Sequence, residues 1–241
     1  MIANSDVRFS VDALVFDAYG TLFDVQSVAT LGERICPGRG EALASVWRAK
    51  QLEYTWLQSL MMSPTQRRED FAAITAHALD HAADSLGLAL QPALRHRLLD
   101  AYLDLSPFAD ATPALAALAP LPRLILSNGT REMLEPLAAS TGIALHLDAI
   151  LSVDAAGIYK PSPRVYQLAV DHLKLSPPRI GFASSSGWDV VGAKAFGFTV
   201  FWVNRNGAPA ERHGPKPDAV IASLAELPNL VGKAPRGKPI H

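Results

Sequence analysis

With a single cysteine, Cys36, the sequence can form no internal disulfide and no cysteine-based zinc site. A reducing compartment suits such a chain. Long apolar runs are missing as well: the first strong one, Ala13 to Phe16, is far too short to cross a bilayer and is closed by an acid. The stretch Met1 to Arg8 lacks the apolar core of a signal peptide, so a cytoplasmic protein with no membrane partner is expected. Charge of one sign is also scarce, since 22 Lys and Arg face 23 Asp and Glu. That balance leaves no electrostatic footprint for nucleic acid. No Gly-x-Gly-x-x-Gly follows a strand, which removes support for a dinucleotide site. No internal repeat is evident.

What the sequence does have is apolar residues, 49% of 241, enough for a full core. They gather in short runs bounded by turn or helix signals, which is the character of buried parallel strands. The runs are Ala13 to Phe16, Arg123 to Leu126, Ala149 to Ser152, Ile180 to Ala183, Thr199 to Val203 and Ala219 to Ile221. Between most of the later runs lies an amphipathic stretch of helical length. Ser162 to Lys174 is one, with Ser162 placed to cap, Pro163 suited to the first turn, and Val165, Leu168, Ala169, His172 and Leu173 on one face. Alternating strands and helices predict an α/β fold, a doubly wound parallel sheet of Rossmann-like type.

Roughly 100 residues separate the first run from the second, far more than one crossover needs. Most of that segment reads as helix, notably Glu41 to Met62, Gln66 to Leu86 and Pro92 to Leu105. The expected organisation is a core domain of residues 1–24 and 107–232 with a helical cap domain, 25–106, inserted after the first strand. The chain is expected to return to the core near Ser106 to Thr112, with Ser106-Pro107 and Thr112-Pro113 as breaks. Residues 233–241 lack periodicity and read as a flexible tail.

Open parallel sheets bind ligands at the carboxyl ends of their strands. Here the runs stop at Asp17, at Ser127-Asn128 and at Ser184-Ser185-Ser186, and Lys160 lies in the turn after the third run. Singly, each residue has an ordinary alternative. Asp17 could form a turn, Ser127 to Thr130 could cap a helix, and Lys160 could be a solvated loop charge. Their joint arrival at successive strand ends points instead to an active site. His77 and His81 lie four apart in an expected helix without a third ligand, which favours a solvated face over a metal site. Trp47, Tyr54 and Trp56 read as packing or dimer contacts.

Phe16 to Asp24, Leu126 to Thr130, Tyr159 to Pro163 and Ser184 to Asp189 resemble, in order and spacing, the successive motifs of the haloacid dehalogenase superfamily. Where its phosphatases carry further acids this chain has Tyr19 and Ser185, and so few carboxylates would hold a hard divalent ion weakly. Trp47 to Trp56 resembles the cap helix of the L-2-haloacid dehalogenases, with Arg48 at their halide-binding arginine. The resemblance implies hydrolysis of short (S)-2-haloalkanoic acids to (R)-2-hydroxy acids, with no metal and no cofactor, by a homodimer.

In the implied mechanism Asp17 attacks carbon and forms an ester. Ser127 and main-chain N–H groups at Ala18, Tyr19 and Asn128 orient the substrate carboxylate, while Arg48, Asn128 and the ring edge of Trp188 receive the halide. Lys160 supplies a countercharge to Asp17; Thr21, Tyr166 and Ser184 match residues that hold the lysine and carboxylates. Asp189 serves as base or base-positioning group for water. The chain departs from the family at Ser186, where an asparagine is usual; a serine hydroxyl reaches less far than an amide and leaves more room. The alternatives are a hydrolase opening a strained small acid such as azetidine-2-carboxylate, a magnesium-dependent phosphatase, and a non-catalytic binding protein.

Overall fold

A computed structural model describes residues 9–61 and 68–232. The expected tail, 233–241, and the ends expected at Met62 and Gln66 for two helices lie outside the described residues. In chain order the elements are β1 (Phe9–Ser10), β2 (Ala13–Phe16), α1 (Gln26–Ile35), α2 (Gly40–Leu60), α3 (Phe71–Ser85), α4 (Pro92–Asp100) and α5 (Ala111–Ala117). There follow β3 (Arg123–Ser127), α6 (Arg131–Ser140), β4 (Ala149–Ser152), α7 (Pro163–Leu173), β5 (Ile180–Ser184) and α8 (Gly187–Phe196). The chain continues through β6 (Thr199–Val203), β7 (Ala219–Ile221), α9 (Leu227–Leu230) and β8 (Val231–Gly232).

β2 is apolar along its length because sheet neighbours flank it on both sides and helices cover both faces. It sits inside a parallel sheet ordered β4-β3-β2-β5-β6-β7, while β1 pairs separately with β8. The chain winds outward from β2 to β4, returns to β5 and winds the other way, so the order reverses beside β2. A crevice opens at the carboxyl ends of strands at such a reversal. Register puts Phe16 opposite both Ile125 and Ala183. Asp17, Ser127 and Ser184 therefore emerge at nearly one level.

All six apolar runs are strands, and β3 and β5 each extend one residue further, into Ser127 and Ser184. The edges are less buried than the runs suggested: β4 is largely half-buried and Val220 of β7 is exposed, since each edge strand has only one sheet neighbour. Other expectations need correction. Residues 68–70 are not helical, because the Asp70 carboxylate accepts the Ala73 N–H at 2.8 Å and starts α3 at Phe71. The helix expected over 92–105 ends at Asp100 and tightens into a 3-10 turn over Ala101–Leu103. Thr112-Pro113 is no break but lies in the first turns of α5, where proline's missing N–H does no harm. Ser162 makes no side-chain capping bond, and on α7 it is Tyr166 that is buried while His172 is exposed.

The helices α1 to α4 pack chiefly on one another. One face of α2 buries Leu43, Trp47, Gln51 and Thr55, four residues apart, against α3. The chain leaves the sheet and comes back through adjoining segments: the Asp24 N–H donates to Ser106 O at 2.8 Å and the Phe108 N–H to Leu22 O at 2.9 Å. No helix among the described residues is long and apolar enough to cross a membrane.

Candidate active site

Directly after β2 the chain turns sharply at Gly20, whose φ of +86° suits glycine and whose place a Cβ would crowd, at 3.1 Å from Ser185 Oγ. The turn leaves Asp17 buried at the strand end, fixed through its own N–H to Ala183 O at 3.0 Å. Its carboxylate has protein donors at both oxygens. Lys160 Nζ donates to Oδ1 at 3.1 Å, and Thr21 Oγ1 donates to Oδ2 at 3.2 Å. Thr21 Oγ1 in turn accepts the Ser185 N–H at 2.9 Å and also lies 3.3 Å from Ser185 Oγ.

Lys160 also reaches Asp189 Oδ2 at 2.9 Å, and Tyr166 OH donates to Asp189 Oδ1 at 2.8 Å. Lys160 is 1% exposed and Asp189 0%. Burial opposes the charge on Lys160, but two adjacent carboxylates and their hydrogen bonds outweigh it and hold its pKa above the ordinary lysine value. Burial likewise raises Asp189; Lys160 and Tyr166 pull it only part of the way back. Tyr166, buried against Asp189, is pushed up as well.

Ser127 and Asn128 arrive at the end of β3 with donors to spare. Ser127 Oγ accepts the Gly129 N–H at 3.1 Å, so its own proton is uncommitted. Asn128 Oδ1 accepts the Lys160 N–H at 3.0 Å, which fixes the amide and leaves its NH₂ facing elsewhere. The N–H groups of Ala18, Tyr19 and Asn128 donate to no main-chain oxygen among the described residues. Thr130, rather than Ser127 or Asn128, caps α6 through the Met133 N–H.

Beside this cluster lies a cavity of about 440 Å³ walled by Tyr19, Gly20, Arg48, Phe108, Ser185, Ser186 and the segment Val203 to Asn206. Of the residues expected from sequence, Tyr19, Arg48 and Ser186 line it. Asp17, Ala18, Ser127, Asn128 and Trp188 are not among its lining residues, and the Trp188 ring packs edge-on against Trp56 at 6.0 Å. Ser184 Oγ accepts the Ser186 N–H at 3.2 Å and so braces the loop, without a hydrogen bond to Lys160 or a carboxylate. His77 and His81 share no ligand set: His77 lies 3.5 Å from Glu69 and His81 packs against Tyr54. No group of three or more His, Cys, Asp or Glu side chains placed to hold a metal occurs among the described residues.

Sequence reasoning missed several neighbours. The Tyr19 hydroxyl is buried without a partner among the described residues and its pKa is driven far up by that burial, with Tyr102 and Asp17 adding to the rise and Arg48 opposing it. Gln51 is fully buried and binds Arg48. Arg205 donates to Thr21 O at 3.1 Å, pairs with Asp110 and lies over the Phe108 ring at 4.1 Å. Arg205 lies two residues past the end of β6, so the strand-end rule that located Asp17 was also the signal for it.

A buried aspartate ion-paired to a lysine thus sits at the crevice of a parallel sheet whose first core strand is followed by the inserted helices α1 to α4. The family model for haloacid dehalogenase-like hydrolases matches residues 11–197, and the chain belongs to that family. Within it, the chain is 43% identical over 244 residues to an (S)-2-haloacid dehalogenase of Xanthobacter autotrophicus, covering 92% of this chain and 95% of that one. It is 44% identical over 223 residues to (S)-2-haloacid dehalogenase 1 of Pseudomonas sp. strain CBS-3, covering 92% and 96%. A solved structure of the L-2-haloacid dehalogenase from Xanthobacter autotrophicus with chloropropionic acid covalently bound matches with a TM-score of 0.83 at 42% identity, over 91% of this chain and 98% of that one.

Proposed function

We propose that this chain hydrolyses the carbon–halogen bond of short (S)-2-haloalkanoic acids, giving halide and the (R)-2-hydroxy acid. The observation that carries the proposal is the Asp17 carboxylate, ion-paired to buried Lys160 and steadied by Thr21, close to a cavity that Tyr19 and Arg48 line. The similarity to (S)-2-haloacid dehalogenases supports the same chemistry.

In this reading Asp17 attacks C2 of the substrate from the side opposite the halogen. A C–O bond forms, the C–X bond breaks, and the halide departs with the bonding pair, inverting the carbon. The free proton of Ser127 and the N–H groups of Ala18, Tyr19 and Asn128 receive the substrate carboxylate. Arg48, on the cavity wall, receives the halide with the Asn128 NH₂; Trp188, packed on Trp56, is not on that wall. Water then adds to the Asp17 acyl carbon, the hydroxy acid leaves, and the carboxylate is regenerated with one oxygen from water. Both oxygens of Asp189 are engaged, so it acts through Lys160 and Tyr166 as a positioning group. Ser184 holds the loop that presents Ser186.

The cap over residues 25–106 and a homodimer remain part of this proposal. Exposed Leu57, Leu60 and Met61 at the end of α2 offer an apolar surface for the second copy. The test is incubation with racemic 2-chloropropionate. The expected result is chloride release that stops at half conversion, with (R)-lactate as product and no effect of a chelator. Absence of halide release, or turnover that a chelator abolishes, would overturn the reading.

A further inference from the structure

Arg48 can stabilise a departing anion only if its guanidinium is held toward it and keeps its full charge. The usual device for holding an arginine is a carboxylate, which would cancel that charge. Here the partner is an amide. Arg48 Nη1 donates to Gln51 Oε1 at 2.6 Å, one helical turn further along α2. Gln51 is 0% exposed although it is polar and belongs to a helix whose other buried positions include Leu43 and Trp47. A buried amide is costly unless its hydrogen bonds are made.

The bonds are made in only one sense. Arginine cannot accept, so the atom facing Arg48 must be Oε1. Gln51 Nε2 then donates to Thr75 Oγ1 at 2.7 Å, and Thr75 gives its own proton to Phe71 O at 2.6 Å. The hydroxyl proton of Thr75 is spent on α3, so its lone pair must receive the amide. The chain Arg48, Gln51, Thr75, Phe71 O thus has one donor direction throughout, and it anchors the guanidinium of α2 to the backbone of α3. Trp47 Nε1, donating to Thr75 O at 2.8 Å, fixes the same turn of α3.

We infer that Gln51 is a positioning residue for the carbon–halogen cleavage: it aims Arg48 at the leaving halide through a neutral acceptor, so that the positive charge is not quenched. The inference rests on the proposed function, in which Arg48 receives the halide. It assigns a role to glutamine itself, since glutamate would satisfy Arg48 but neutralise it and set an oxygen against the Thr75 lone pair.

The experiment compares wild type, Gln51→Met, Gln51→Glu and Arg48→Met with 2-chloro- and 2-bromopropionate. It follows halide release in a single turnover and inhibition by added bromide. Gln51→Met keeps the volume and is expected to slow halide release by about ten- to a hundredfold, the span of one charge-assisted hydrogen bond. Chloride, the poorer leaving group, should suffer more than bromide, and bromide inhibition should weaken in proportion. Gln51→Glu should lose at least as much. A helix-packing role alone would leave the chloride-to-bromide ratio and the bromide inhibition unmoved, and that result overturns the inference. If Arg48→Met shifts both readouts and the Gln51 variants shift neither, Gln51 is excluded while the halide role of Arg48 stands. If Arg48→Met shifts neither, that role fails and the inference with it. Should Gln51→Met not fold, Thr75→Val frees the amide while leaving Gln51 in place, and the same two readouts decide.

Discussion

Lys160 meets opposing demands: burial resists its charge, and the carboxylates of Asp17 and Asp189 at 3.1 and 2.9 Å require it. The carboxylates win, so the lysine stays protonated past its ordinary 10.5. For linkage the sign follows directly: a raised lysine pKa gives stability that is complete below the unfolded value and lost as pH climbs through the folded one. Asp189, raised above 3.8 by burial, has the opposite consequence, because a carboxylate held above its unfolded pKa takes stability away as pH rises through that interval. The site therefore keeps Asp189 at a cost in stability. The expected pH profile of kcat/KM has an acid limb above 3.8, from Asp189, and an alkaline limb above 10.5, from Lys160. An alkaline limb below 10.5 that shifts in Lys160→Arg would contradict this account of the lysine.

Among the elements, the joint at Asp110 ties distant segments of the chain together. Its Oδ2 accepts from Ser223 Oγ at 2.6 Å and from the Leu224 N–H at 2.9 Å, and it pairs with Arg205, which in turn donates to Thr21 O. Burial pushes this carboxyl up, but Arg205, Ser223 and the Leu224 N–H together hold it below the ordinary value. A depressed carboxylate gives stability that is present above its unfolded pKa and lost as pH falls through the folded one. Asp110→Asn should thus lower Tm at neutral pH, by the equivalent of about 1.5–3 kcal/mol for hydrogen bonds to a charge, and should matter little near pH 2. Equal losses at both pH values in thermal melts would contradict the electrostatic reading. This joint was not legible in the sequence, since Asp110, Arg205 and Ser223 lie far apart and their meeting depends on tertiary closure. The strands were legible, because a strand covered on both faces must be apolar throughout. Helix ends were less so: Asp70 sets one by a side-chain bond that periodicity does not register.

At the scale of the molecule, the helices between β2 and β3 and the sheet meet around Asp17. Trp56 packs on Trp188, Arg68 pairs with Asp154 and lies 4.2 Å over the Tyr159 ring, and Ser59 Oγ accepts the Tyr159 N–H at 3.2 Å. These contacts grip the segment that delivers Lys160. The strand-end residues were readable because topology alone brings them to one edge, which is why Asp17, Ser127, Asn128 and Ser184 could be named in advance. Gln51 and the Tyr19 hydroxyl could not, since an amide or phenol on an apolar face looks like packing until its partners are known. Ser186, where the resemblance sets an asparagine, lies on the wall of the cavity.

The proposed hydrolysis depends on Asp17 bonding to carbon. The most direct measurement is one turnover with excess enzyme and (S)-2-chloropropionate in ¹⁸O-water, followed by mass analysis of the Asp17 peptide and of the lactate. The heavy oxygen is expected in the Asp17 carboxylate, with unlabelled lactate from that first turnover. Labelled lactate with an unlabelled Asp17 would mean that water attacks the substrate directly, and would contradict it.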